Sequence, residues 1–263
     1  MDATHEQADR MNAPRAKALC QCFNGALEFQ VGNWDTAETS LLEAVEIYGE
    51  LDAASGEALS WQRLGVLQTA QGEYERGLAS LQEGVAVAER ATMRAHCLAR
   101  LYASMTENRL QAGDLEAADE YLERGLTMGE RHGNCSTCDA LLLPVAVSLR
   151  LAQDRVTEAG EFAEELRQAA EEYASRVWRA MSNRAQGELK IACGEPEAAI
   201  GSLERAQELY EHTGNTYEAA RSQVLLAEAR RLRDQPGDEQ QAAEELSSAQ
   251  ESLERLGASA PVP

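Results

Sequence analysis

The sequence predicts an all-α fold, an α-solenoid of about six helix-turn-helix repeats, and two observations carry that expectation. The first is a six-residue cassette, a Gly or a residue in its place followed five positions later by a small residue. It occurs as Gly32 to Ala37, Gly72 to Gly77, Gly113 to Ala118, Asp154 to Ala159, Gly194 to Ala199 and Gly237 to Ala242, in steps of 40, 41, 41, 40 and 43. A period of this size marks a solenoid, in which each unit buries its apolar face only against its neighbours. The second is composition: Ala, Glu, Leu, Gln and Arg dominate, and Phe and Trp number three each, as suits helices rather than strands.

Each cassette reads as the tight turn between two antiparallel helices. The Gly ends the first helix in the left-handed conformation, and the small residue lets the second helix approach closely. In the first unit Gly25 lies seven residues before Gly32, and Leu41 and Ala44 follow the turn. In the second, Trp61, Leu64 and Gly65 precede Gly72 at helical spacing, and Leu81 and Gly84 follow. The third turn, at Gly113, is followed by Leu122 and Gly125, and the fourth carries Asp154 where the others carry Gly. In the fifth, Gly187 precedes Gly194, and Leu203 and Ala206 follow. Pro196 stands there where the next helix begins, a place where a missing N–H costs nothing. The sixth turn, near Gly237, is followed by Leu246 and Ala249. The expected organisation is a solenoid over 14–256 with turns near 32, 72, 113, 154, 194 and 237, flanked by mobile ends at 1–13 and 257–263.

Trp61, Leu64, Gly65, Gly72, Tyr74 and Leu81, with looser copies across 14–256, resemble the tetratricopeptide family. The resemblance implies a right-handed α-solenoid. The period exceeds the family's usual length of about 34 residues, which implies longer helices. Stretches such as 41–48 and 203–210 look like the long-helix variety of bacterial LuxR-type and maltose-activator-like sensor regions, and of scaffold proteins with extended repeats. A fold hosts many activities, so this resemblance speaks to architecture before function.

Charge narrows the function classes. The formal net charge of −21 opposes nucleic-acid binding, which needs clustered Lys and Arg to neutralise phosphates, and it disfavours an anionic membrane surface. No apolar run approaches the length of a membrane span and no secretory signal is visible, so a cytoplasmic protein is expected. The sequence contains no H-E-x-x-H, no nucleophile elbow and no phosphate-cradling loop, so a non-catalytic role is expected.

The functional surface of such a solenoid is the concave groove lined by the first helix of each pair. With Trp61 as the fourth position of its helix, the groove positions include Gln62 and Arg63 in the second unit and Arg100 and Glu107 in the third. The fifth unit adds Arg184 and Glu188, and the sixth Arg221 and Glu228. Arg near the helix starts and Glu one to two turns later make a mixed-charge groove suited to a peptide or a partner helix. The same residues also lie at spacings that would pair them with each other, as Arg184 with Glu188. A protein-interaction or scaffold module is the leading reading, with association into homo-oligomers left open. A sensor binding a small effector in the groove is the alternative.

Six cysteines in a long repeat chain are expected to be reduced. Cys20, Cys97 and Cys193 read as small apolar core residues, and Cys22 as a groove position. His132, Cys135 and Cys138, in the linker between the third and fourth units, are the exception. The C-x-x-C pair with a nearby imidazole matches the ligand types and spacing of Zn²⁺ sites or of a redox thiol pair. A thiol- or metal-dependent role there is a third reading; no other cofactor is implied.

Overall fold

The computed structural model describes residues 10, 12–132 and 135–258. Most of the two ends expected to be mobile, and the side chain of His132, lie outside the described residues. Among the described residues there are twelve helices and no strand. They are α1 (Pro14–Val31), α2 (Trp34–Glu50), α3 (Ala54–Ala70), α4 (Tyr74–Ala88), α5 (Arg94–Gln111) and α6 (Leu115–His132), then α7 (Ser136–Ala152), α8 (Val156–Glu172), α9 (Arg176–Ala192), α10 (Pro196–His212), α11 (Thr216–Arg233) and α12 (Asp238–Leu256). The chain divides into two compact units, Met1–Cys135 with α1–α6 and Ser136–Pro263 with α7–α12.

The turns inside the pairs form where the cassettes place them, and five share one hydrogen-bond pattern. The residue after the left-handed position donates its N–H to the carbonyl five residues back. These bonds run from Asn33 to Glu28 (2.8 Å), Glu73 to Gln68 (2.9 Å), Asp114 to Arg109 (2.9 Å), Arg155 to Arg150 (2.8 Å) and Glu195 to Lys190 (2.9 Å). This is the Schellman closure of a helix C-terminus, which requires a positive φ at the residue before the donor. Gly113 supplies it at 79° and Asp154 at 59°. The sixth turn differs. Asp234 is the left-handed residue that ends α11, with φ 53°, and Gly237 instead precedes α12. The three inserted residues account for the longer final step of the repeat. Asp238 fastens this turn by accepting from Arg233 Nε (2.9 Å) and Nη2 (2.6 Å) and from the Gln235 N–H (2.9 Å). The Arg233 bonds lead in lowering its carboxyl pKa to about 2.

Helix contact within a pair depends on the small residues. A Cβ built on Gly65 would lie 2.5 Å from Leu81 Cγ and 3.0 Å from the Gly77 carbonyl oxygen. Gly25 stands in the same relation to Leu41 and the Ala37 carbonyl oxygen, at 2.5 and 3.0 Å, and Gly187 to Leu203 at 2.5 Å. The backbones of the paired helices therefore touch, and the Leu of the second helix folds over the glycine. Leu41, Leu81 and Leu203 are fully buried as a result.

The first unit has its main core in Ala58, Leu81, Val87, Leu98, Leu101 and Met105. In the second, Leu143, Val147, Ala163 and Leu166 form one cluster and Ile200, Leu203 and Leu226 another. Pro196 occupies the first turn of α10, as its fixed φ and missing N–H favour.

Candidate functional site

Of the four groove residues expected in the first unit, one is buried and three are half-buried. Gln62 is inside: its Nε2 donates to Ser104 Oγ at 2.7 Å and ties α3 to α5. Glu107 accepts from Gln111 Nε2 at 2.5 Å, one helical turn away. Arg100 is half-buried on α5, where burial and then its charge lower the pKa of His96 and that charge opposes the rise that burial causes at Cys97. Arg63 is placed differently. Its Nη1 donates to the Cys22 carbonyl oxygen at 2.8 Å, and the guanidinium carbon lies 4.9 Å from the centroid of the Phe23 ring. Among the described residues no carboxylate pairs with it. A cation held by a carbonyl and an aromatic face keeps its charge and its remaining donors available.

Sequence reasoning missed what lies beside Arg63. Leu19, Phe23, Leu27 and Val31 recur at every fourth position of α1, and each keeps about half of its surface exposed, between 47% and 53%. The opposite face of α1, with Ala18, Cys22 and Gly25, is the one buried against the unit. The i, i+4 recurrence was the available signal. Apolar residues at helical spacing ordinarily denote a core stripe, and here the small residues take that role.

In the second unit the expected groove residues join an internal network. Arg184 is buried; its Nε donates to Glu188 Oε1 at 2.9 Å and its Nη1 to Glu218. Burial and the neighbouring Arg221 push the Arg184 pKa down, and the Glu188 and Glu218 carboxylates outweigh them, so the guanidinium stays charged. Glu188 also accepts from Ser148 Oγ at 2.5 Å. Arg221 reaches Glu218 at 3.4 Å and lies 5.5 Å over the Tyr217 ring. Tyr210 is buried beneath them, and burial followed by the Glu218 charge raises its phenol pKa. Glu228 keeps an exposed edge, while desolvation of its inner side and then Glu188 raise its pKa. Arg184 and Glu188 thus satisfy one another and the next helix pair.

The cysteines depart from expectation at two positions. Cys22 is buried, because it belongs to the face of α1 that packs on the unit. Cys193 is exposed, because α9 ends one residue earlier and Cys193 already belongs to the turn. Cys97 is buried, and burial raises its thiol pKa against the opposing charge of Arg100; Cys20 is half-buried.

In the linker, the His132 side chain lies outside the described residues, so its role as a third ligand rests on sequence. Cys135, immediately before α7, instead has His96 beside it, with Sγ 3.6 Å from the imidazole Nδ1. Partial burial and then Arg100 lower the His96 pKa, favouring a neutral imidazole. No sequence spacing announces this meeting, since the two residues are 39 apart. The antiparallel α5–α6 pair creates it by returning the end of α6 to the start of α5. Cys138 is buried in the first turn of α7.

No family model matches the chain, and no curated protein matches it. Solved structures do. BtubC (BKLC) from P. vanneervenii aligns with a TM-score of 0.56 at 15% identity, over 90% of this chain and 95% of that one. A putative kinesin light chain with TPR-like repeats from Podosopora anserina aligns with a TM-score of 0.46 at 19% identity, over 73% and 92%. A tetratricopeptide repeat protein from Parabacteroides merdae aligns at 0.45 and 13%, over 92% and 97%. At this identity the first likeness shows the fold alone. Together with the successive helix pairs it establishes an all-α fold of helical repeats. It does not reach the regulator-type variety suggested by the long helices.

Proposed function

We propose that the chain is a non-catalytic scaffold that binds a peptide or helix of another protein, with the binding surface in the first unit and Arg63 at its centre. Helical-repeat folds of this kind commonly serve as protein-interaction modules. The observation that favours this surface is the contrast between Arg63 and the arginines of the second unit. Arg184 and Arg221 are engaged with Glu218 of their own unit, whereas Arg63 is anchored by a carbonyl and stacked on Phe23 with no carboxylate partner among the described residues. The exposed Leu19, Phe23 and Leu27 supply apolar contact beside it. A segment combining apolar side chains with an Asp or Glu complements this arrangement, and a strongly acidic protein would have little other use for an uncompensated cation.

The test begins with a partner recovered from the native host, identified, purified, and rebound to the wild-type chain and to Arg63→Ala and Arg63→Glu variants. A charge-assisted hydrogen bond is worth about 1.5–3 kcal/mol, so Arg63→Ala is expected to weaken binding roughly 10- to 150-fold. Arg63→Glu should weaken it further, with unchanged helicity in both. Undiminished binding by Arg63→Glu would move the site elsewhere on the repeats.

A further inference from the structure

We infer that the partner bound beside Arg63 is an α-helix packed lengthwise on α1, with two acidic side chains about two turns apart that reach Arg15 and Arg63. The inference rests on the scaffold reading above and names the form and the charge pattern of its partner.

The repeat itself specifies what belongs on this face. Counted back from the left-handed residue of each turn, Phe23 and Leu27 of α1 correspond to Arg63 and Leu67 of α3 and to Ser104 and Asn108 of α5. On α3 and α5 these positions meet the helix pair before them. Arg63 holds the Cys22 carbonyl and the Phe23 ring, and Ser104 Oγ accepts from Gln62 at 2.7 Å. Asn108 Nδ2 donates to Thr69 Oγ1 at 2.8 Å and to the Tyr74 carbonyl at 3.0 Å. Leu67 and Asn108 are fully buried in consequence, whereas Leu27 is 47% exposed. The α1 stripe is therefore a stacking face of the kind that helices cover on α3 and α5. A repeat face that meets only water is polar, as on α12, which exposes Gln240, Glu244, Ser247 and Glu251. Helix α1 instead exposes Leu19, Phe23, Leu27 and Val31.

Charge names the occupant. Arg15 continues the row of Leu19 and Phe23 one turn toward the start of α1, and it is exposed with no carboxylate partner among the described residues. Arg63 is anchored at Cys22, seven residues further along, which is roughly 10 Å of helix. The two fields converge: burial foremost raises the pKa of the Tyr48 phenol, and Arg63 and Arg15 both oppose that rise. An apolar helix face flanked by carboxylates two turns apart answers the stripe and both cations together. A second copy pairing through this patch would bring Arg15 and Arg63 to the contact again rather than the carboxylates they lack. Residues 1–9 supply Asp2, Glu6 and Asp9 but only Met1, Ala3 and Ala8 as apolar groups, too little to cover four large side chains.

The probe is a labelled synthetic helix of about 18 residues, the length of α1, with leucines along one face and two glutamates two turns apart on its flank, titrated with the full chain. Saturable binding is expected, with a rise in the helicity of the peptide. Leu27→Asp leaves Arg63 and its anchor in place and should weaken binding roughly 10-fold or more. Arg15→Glu and Arg63→Glu should each weaken it roughly 10-fold. Replacing one glutamate of the peptide by arginine should restore binding to Arg15→Glu, and replacing the other should restore it to Arg63→Glu; a merely structural role for these arginines gives no such exchange. Circular dichroism on each variant separates loss of a contact from loss of fold. The inference is overturned if the peptide does not bind, if the same peptide broken by two prolines binds equally well, if neither exchange restores binding, or if Leu27→Asp abolishes a dimer of the wild-type chain. The native partner separates the two readings. One that loses affinity in Arg63→Glu but not in Leu27→Asp or Arg15→Glu leaves the scaffold surface standing and removes the helix from it, whereas one indifferent to all three removes the surface itself.

Discussion

At the scale of single residues, the repeat is written in glycines that do two different jobs. Gly65 is a packing residue, and an added Cβ there meets Leu81 Cγ at 2.5 Å and a backbone oxygen at 3.0 Å. The Leu81 side chain can turn aside, but the Gly77 carbonyl cannot move without its helix. Overpacking of this kind costs about 1–3 kcal/mol, whereas replacing a helical Gly with Ala recovers only about 0.5–1 kcal/mol. Gly65→Ala is therefore expected to lose about 0.5–2 kcal/mol in denaturant unfolding. Gly201, inside α10, is the internal control, since a Cβ there meets nothing within 4 Å. Gly201→Ala should gain about 0.5–1 kcal/mol by propensity alone. Equal effects at the two positions would mean that close approach of helix backbones is not what Gly65 provides. The sequence showed Gly65 as a recurrent small residue seven positions before its turn. It did not show that the partner at the contact is a carbonyl, and that fact decides the sign for Ala.

At the scale of the element, the turns were readable and the groove was not, for one physical reason. A turn is specified locally, by a left-handed residue and the bonds around it, so Gly32, Gly72, Gly113, Asp154 and Gly194 could be placed from spacing alone. A groove side chain is specified by what faces it from the next helix pair. Arg184 and Arg63 look alike in sequence, yet one finds Glu218 34 residues on and the other finds a carbonyl and Phe23. The exposed stripe of α1 was hidden likewise, because its spacing is that of a core face. The turn geometry itself can be tested by exchange. A Cβ at Gly113 would have open space around it, so its φ of 79° is the only constraint. Gly113→Ala should cost about 1–2 kcal/mol, the penalty of the left-handed region for an ordinary residue. Asp154→Gly, at φ 59°, relieves the same penalty and should be neutral or stabilising by up to about 1 kcal/mol. If Gly113→Ala is silent, the helix ends there by some other device than the left-handed cap.

At the scale of the whole molecule, charge dominates. The chain carries 45 acidic and 24 basic side chains, so even complete pairing would leave 21 carboxylates without a cation. Surface pairs such as Arg167 with Glu164 and Glu171 contribute only about 0–1 kcal/mol each, and salt weakens them. Repulsion among the surplus carboxylates is weakened too, and it is the larger effect because the surplus outweighs what exposed pairs contribute. The melting temperature is therefore expected to rise as NaCl increases from about 10 mM to about 0.5 M, over which the screening length falls from roughly 30 Å to a few ångströms. The buried network should ignore that change. Arg184, with Glu188 and Glu218, is enclosed by protein and screened little, and Arg184→Met strands two carboxylates without their buried partner. Removing one member of such a buried group costs about 3–5 kcal/mol, and the loss should be nearly the same at both salt concentrations. Parallel urea unfolding of the wild-type chain and Arg184→Met at low and high salt checks both statements. A wild-type chain that weakens with salt would show its exposed ion pairs to be worth more than its surplus charge costs. A mutational loss that vanishes in high salt would place Arg184 in contact with solvent rather than inside the second unit.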